Sequence, residues 1–170
     1  ADVPLLTLLL ELGADPTLTN ADHCPPLLAA AGIGTRAPGE EAGTEAEALA
    51  AVELLLQGGA DINAVDDNGE TAMHGAAYAS LPRMVAFLAA HGADINVWNR
   101  KNRYGWTPLL IAEGYRPGNF KPAPATIAAI QRVMRAAGIE PPPPSPERIP
   151  KSPDQYAPDG RQKAKKSAAP

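Results

Sequence analysis

Apolar residues recur at helical spacing in four separated stretches of this chain. The first runs from Leu5 to Leu12. The second holds Leu49, Val52, Leu54, Leu55 and Leu56, the third Met84, Val85, Phe87 and Leu88, and the fourth Ile127, Ile130, Val133 and Met134. Each pattern predicts an amphipathic helix with one face on a core. A shorter apolar segment precedes each of the last three: Pro25 to Ala30, Ala72 to Ala77, and Pro108 to Ala112. These predict partner helices. The small Ala76 and Ala77 allow neighbouring helices to approach closely. No partner segment precedes the first stretch, Val3 to Leu12, so its leucines lack a covering helix.

Glycines punctuate the pattern with a period. Gly13-Ala14-Asp15, Gly59-Ala60-Asp61 and Gly92-Ala93-Asp94 are three copies of one tripeptide, and Gly138-Ile139-Glu140 is a fainter fourth. The glycines are 46, 33 and 46 residues apart, so the outer intervals both exceed the middle one by 13. Internal periods of this size belong to stacked repeats. Measured against the middle interval, the first surplus falls between the two helices, in the segment Gly34 to Thr44. Rich in glycine, alanine and glutamate, that segment reads as a mobile loop. Of the last surplus, three residues fall in the turn before Thr107, and ten fall between the helices around Arg116 to Pro122.

The middle interval contains Asp66-Asp67-Asn68-Gly69-Glu70-Thr71-Ala72-Met73-His74-Gly75-Ala76-Ala77 and ends on Gly92-Ala93-Asp94-Ile95-Asn96. It resembles the ankyrin repeat, with Ala72 for the usual proline, Met73 for leucine and Ser80-Leu81 for the Gly-His between the helices. Gly105-Trp106-Thr107-Pro108-Leu109 restates the signature in the next repeat. The resemblance implies an all-α helical solenoid with short β-hairpin fingers. It divides the chain into an outer helix of an incomplete repeat (1–14), an ankyrin repeat with an inter-helix insertion (15–60), the repeat closest to the family pattern (61–93), a last repeat with an extended finger and an insertion (94–140), and a proline-rich disordered tail (141–170). The whole reads as the C-terminal part of a longer array, because end repeats normally carry polar caps.

Several residues have structural roles in this reading. Gly69 supplies positive φ in a turn, and Gly92 ends a helix in a left-handed conformation. Thr71 and Thr107 are N-caps whose hydroxyls accept from early helix amides, and Pro108 is a first helical residue. His74 stands where the family's imidazole braces the turns. His23 replaces the usual turn glycine. His91 precedes a C-cap glycine, where partial positive charge is favoured.

Composition narrows function. Hydrophobic residues are 45% of the chain but aromatics only 5%, which suits packed helices better than a β-sandwich. One cysteine, Cys24, gives no disulfide framework or multi-cysteine zinc site. The net charge of −4 is uneven: beyond position 140 there are six basic and three acidic residues, leaving nine basic and sixteen acidic before it. An acidic body repels nucleic acid. No apolar run is long enough to span a membrane, and no basic segment precedes Leu5 to Leu12 as in a signal peptide. The expectation is a soluble, cytoplasmic, monomeric module with no nucleic-acid partner.

Catalytic chemistry is thinly represented. His23-Cys24 is a nucleophile–base pair in composition alone, since sequence neighbours rarely orient productively and no third member appears. Glu40-Glu41 and Glu45-Glu47 read as solvated loop charges. No metal-ligand spacing and no cofactor motif occurs. Lys163, Lys165 and Lys166 form a small basic cluster, read as a solvated tail.

The candidate binding residues lie on the fingers. Trp98-Asn99-Arg100-Lys101-Asn102-Arg103-Tyr104-Gly105-Trp106 is basic within an acidic body and holds both tryptophans. Trp, Tyr and Arg dominate binding hot spots. Trp98, Arg100, Lys101, Arg103, Tyr104 and Trp106 are therefore candidate contacts with another protein. The resemblance adds Val65, Asp67, Asn68, Glu70 and Tyr78, which match the family's variable surface positions. A competing reading buries Trp98 and Trp106 against the insertion, with Tyr115 and Phe120. The function expected is non-catalytic protein binding. The alternative is a regulatory or targeting segment of a larger enzyme whose catalytic domain lies upstream.

Overall fold

The computed structural model describes residues 2–35, 43–115 and 121–144. The tail beyond 144, with its lysine cluster, lies outside them, as do Glu40, Glu41 and Phe120. Eight helices occur among the described residues: α1 (Val3–Glu11), α2 (Pro26–Ala30), α3 (Glu45–Gln57), α4 (Ala72–Tyr78), α5 (Pro82–Ala90), α6 (Ile95–Trp98), α7 (Pro108–Ala112) and α8 (Pro124–Ala136). Helices α2, α4 and α7 form an inner layer, with α4 packed on both others. Helices α1, α3, α5 and α8 stack in that order as the outer layer. Each inner helix also packs on the outer helix that follows it.

The core runs through the seam between the layers. Leu27, Leu28, Val52, Met73, Ala76, Ala77, Met84, Val85, Leu88 and Ile130 are all fully buried there. Every residue of α4 is buried, as its place between α2 and α7 requires. Glycine permits a close approach between the end of α2 and α4. A Cβ on Gly32 would stand 2.6 Å from the Gly75 carbonyl oxygen, and one on Gly75 would stand 2.8 Å from the Ile33 amide nitrogen. On α1, Leu6 packs on the core, whereas Leu5, Leu8, Leu9 and Leu12 are exposed.

The helix ends explain the periodic glycines. Gly13, Gly59, Gly92 and Gly138 have φ of 90°, 92°, 94° and 77°. Each donates its amide to the carbonyl three residues back, and the next residue donates to the carbonyl five back. This left-handed cap satisfies carbonyls that the helix leaves open. The inner helices end in the same way at Gly32, Ser80 and Gly114. Ser80 holds φ of 59° where its counterparts are glycine. Ser80→Gly should therefore raise stability by about 1 kcal/mol. Urea unfolding with an unchanged midpoint would contradict it.

Two expectations need correction. The fingers are not β-hairpins: no strand occurs among the described residues. One backbone pair closes each turn, which is too little for a ladder, and the first arm of the third finger is wound into α6. Glu45 and Glu47 are not loop charges either, because α3 begins at Glu45. Glu47 closes a capping box, accepting from the Thr44 amide at 2.6 Å and donating its own amide to Thr44 Oγ1 at 3.3 Å. The bonds that its carboxylate accepts from the Thr44 amide and hydroxyl hold the Glu47 carboxyl below its ordinary range. Glu45 Oε1 accepts from the Arg83 and Met84 amides at 2.7 and 3.1 Å, capping α5, whose own N-cap Leu81 has no side chain to do so.

Candidate functional site

The three fingers are built on one register. Asn20, Asp66 and Asn102 each stand three residues before the turn residue of positive φ, which is His23, Gly69 or Gly105. In each finger the side-chain Oδ1 accepts two amides, two and four residues on. Asn20 takes Asp22 and Cys24 at 2.9 and 3.0 Å. Asp66 takes Asn68 and Glu70 at 2.9 and 2.8 Å. Asn102 takes Tyr104 and Trp106 at 3.1 and 3.0 Å. The backbone amide of each also donates to the carbonyl four residues ahead. A carboxylate or amide oxygen can satisfy turn amides in this way, which is why Asp and Asn occupy these positions.

The tips are bonded to one another. The Asp67 amide donates to the Asp22 carbonyl at 3.0 Å, and the Arg103 amide donates to the Asn68 carbonyl at 2.8 Å. His23 Nδ1 meets Asp67 Oδ2 at 2.9 Å across the first gap. The hydrogen bond from Asp67, with its charge, raises the exposed imidazole above its ordinary range. Arg103 donates to Asn68 Oδ1 at 2.6 Å across the second gap, with its guanidinium 5.5 Å from the Tyr104 ring centre. At the finger bases, Asn63 Oδ1 accepts from the Asp94 amide at 2.7 Å.

His74 braces the structure beneath the tips. Its Nδ1 accepts from the Thr71 amide at 3.3 Å and meets the Thr71 hydroxyl at 3.0 Å. A nitrogen that accepts from an amide carries no proton, so Nε2 bears the hydrogen and donates to the Arg100 carbonyl at 3.2 Å. Burial pushes the imidazole down to about 4, so it is neutral at pH 7. Thr71 is the N-cap of α4 and forms a capping box with His74. Thr107 acts as expected, with Oγ1 accepting from the Leu110 amide at 3.3 Å, and Pro108 begins α7.

A buried polar cluster joins the second and third fingers to α4. Glu70 Oε1 accepts from the Tyr78 hydroxyl at 2.8 Å and from Asn102 Nδ2 at 2.9 Å. Asn102 Nδ2 also reaches the Tyr78 oxygen at 3.1 Å. Burial raises the Glu70 carboxyl above its ordinary range, opposed by these two bonds. Burial and the adjacent Glu70 push the Tyr78 phenol upward too.

The predicted contact residues thus divide. Val65, Asp67, Arg100, Lys101 and Arg103 are exposed, and Asn68 and Tyr104 are half-buried. Glu70, Tyr78, Trp98 and Trp106 are buried. Trp106 stacks on Tyr104 with ring centres 5.2 Å apart. The Trp98 Nε1 meets no acceptor among the described residues. Sequence reasoning missed Asn102 as a residue that organises the third finger. Its signal was present: Asn102 precedes Gly105 by the same interval as Asp66 precedes Gly69.

The His23-Cys24 neighbours do not form a catalytic pair. The imidazole is engaged by Asp67, and Cys24 Sγ points to the Pro25 carbonyl at 3.8 Å. Burial, with Asp66, Glu70 and Asp22 nearby, raises the thiol to about 11, so it is not a thiolate at neutral pH. His91 caps α5, with Nδ1 at 2.8 Å from the Phe87 carbonyl.

Two layers of paired helices, glycine-capped and joined by bonded turns, define a helical repeat protein. The family model described as ankyrin repeats (3 copies) matches residues 42–120, and the chain carries ankyrin repeats over that segment. No curated protein matches the chain. Among the described residues no helix is long and apolar enough to cross a membrane.

Proposed function

We propose that this chain binds another protein through its row of finger tips, with Val65, Asp67, Asn68, Arg100, Lys101, Arg103 and Tyr104 as the contacts. The observation that carries this reading is the bonding between tips. The Asp22–Asp67 and Asn68–Arg103 backbone bonds, with His74 beneath Arg100, hold exposed side chains of unlike chemistry in one fixed row. Contacts already ordered cost little entropy on association. Ankyrin repeats serve typically as protein-binding modules, which agrees with this placement. The buried Trp98 and Trp106 act from below, as packing that sets the height of the third finger.

Site-specific photocrosslinking tests the reading. A photoreactive side chain at Asp67 or Lys101 should give adducts with a partner protein in extracts of the native host. The same group at Glu53 or Arg132, exposed on α3 and α8, should give none. Equal labelling from all four positions, or labelling from the helices alone, would contradict it.

A further inference from the structure

We infer that the third finger takes an acidic, extended peptide segment, oriented by an apolar residue seated at Val65. The inference rests on the finger row being a binding surface and names the chemistry of its partner. Of the nine basic residues before position 141, three stand close together here, at Arg100, Lys101 and Arg103. Arg100 is anchored through Nε to the Asn96 carbonyl at 2.6 Å, and Arg103 is held by Asn68 and lies over Tyr104. Two guanidinium groups fixed in this way suit carboxylates, which accept from a planar fork. Arg100 and Lys101 enter no ion pair among the described residues. The acidic tip of the second finger differs, because Asp67 already faces His23 at 2.9 Å. The third finger is thus the place on the row where positive charge is presented, within a body that repels acidic chains elsewhere.

Register gives the second half of the argument. Val65 and Lys101 each precede the turn-organising residue, Asp66 or Asn102, by one position. They therefore occupy the same step on neighbouring fingers, and Val65 is a large apolar side chain left 48% exposed. Stacked repeats place equivalent positions about 10 Å apart. A peptide in the polyproline II conformation, with three residues per turn and a rise of about 3.1 Å, covers that distance in about three residues and brings the third back to the same face. Laid along the row in this way, it would set an apolar residue over Val65 and an acidic residue about three positions away over Lys101 and Arg100.

Fluorescence anisotropy with two labelled peptides tests this. One carries a leucine and a Glu-Glu pair at that spacing in a Ser/Thr background, and the other carries Lys-Lys in place of the pair. The glutamate peptide should bind more tightly, and added salt should weaken it. The double variant Arg100→Glu, Lys101→Glu should weaken it about tenfold, and Val65→Ser should weaken it by a smaller factor. The altered residues are exposed, so unfolding curves should be unchanged. Equal affinity for both peptides overturns the inference, as does indifference to the double variant. Tighter capture of a labelled oligothymidylate by the same finger also overturns it, in favour of nucleic acid. Any of these results combined with tip-specific photocrosslinking would leave the protein-binding reading standing and remove only the acidic class.

Discussion

Gly32→Ala is expected to lower folding stability by about 3 kcal/mol. Two effects add. Gly32 has φ of 113°, where an L side chain is strained by about 1–2 kcal/mol. Its Cβ would also stand 2.6 Å from the Gly75 oxygen and 2.8 Å from Ala79 Cβ. That oxygen cannot swing aside, because it accepts the Ala79 amide at 2.9 Å. Relief requires α2 and α4 to separate, and overpacking of this kind costs about 1–3 kcal/mol. Gly92→Ala isolates the strain, since φ there is 94° but nothing lies within 4 Å of the added atom. Gly75→Ala isolates the crowding, because it sits in α4 where alanine would otherwise favour the helix by about 1 kcal/mol. Urea unfolding of the three variants should rank Gly32→Ala as the least stable. A midpoint for Gly32→Ala equal to that of Gly92→Ala would mean that the α2–α4 contact is not made in solution.

The second large effect is acid destabilisation through His74. Its folded-state value is lowered to about 4 from 6.5. Above pH 6.5 both folded and unfolded chains hold it neutral, and it gives no pH dependence. Between 6.5 and 4 the unfolded chain takes up a proton that the folded chain refuses, so stability falls with pH by about 3 kcal/mol over that window. Protonation would give Nδ1 a hydrogen facing the Thr71 amide, so the brace fails as the charge arrives. Glu70 works in the opposite sense. Its folded value is raised, so the folded chain takes a proton before the unfolded chain does, and acidification through that range adds stability. Unfolding at pH 7 and pH 4.5 should therefore show a net loss for the natural chain. The loss should be larger for Glu70→Gln and greatly reduced for His74→Gln. An equal loss in natural chain and His74→Gln would assign the acid sensitivity to other groups.

The parts of the fold that could be read from the sequence are those set by local backbone geometry. Gly13, Gly59, Gly92 and Gly138 were visible because a left-handed helix end needs glycine whatever packs around it. The apolar stripes of α3, α5 and α8 were visible because burial on one face imposes a helical period. What was hidden depended on distant partners. A tryptophan beside a basic turn has the same local sequence whether it is a surface anchor or part of the core. Winding Ile95 to Trp98 into a turn of helix is what buried Trp98. Glu70 looked like a surface charge, since its partners Tyr78 and Asn102 stand eight and 32 residues away. The Thr44–Glu47 capping box was overlooked because the glycine and glutamate around it matched the composition of a loop. Asn102 was hidden by its neighbours: the basic and aromatic residues drew notice to their side chains, whereas its contribution is to hold the turn.

The tip-to-tip amide bonds have a consequence for how such a surface can change. The hydrogen bonds that space the fingers join main-chain atoms, and Asn20, Asp66 and Asn102 shape each bend from within. The outward side chains at 65 and 101 can therefore be exchanged, whether by drift or by design, without moving the lattice points on which they stand. A new preference can be written over the old one while the frame keeps its dimensions.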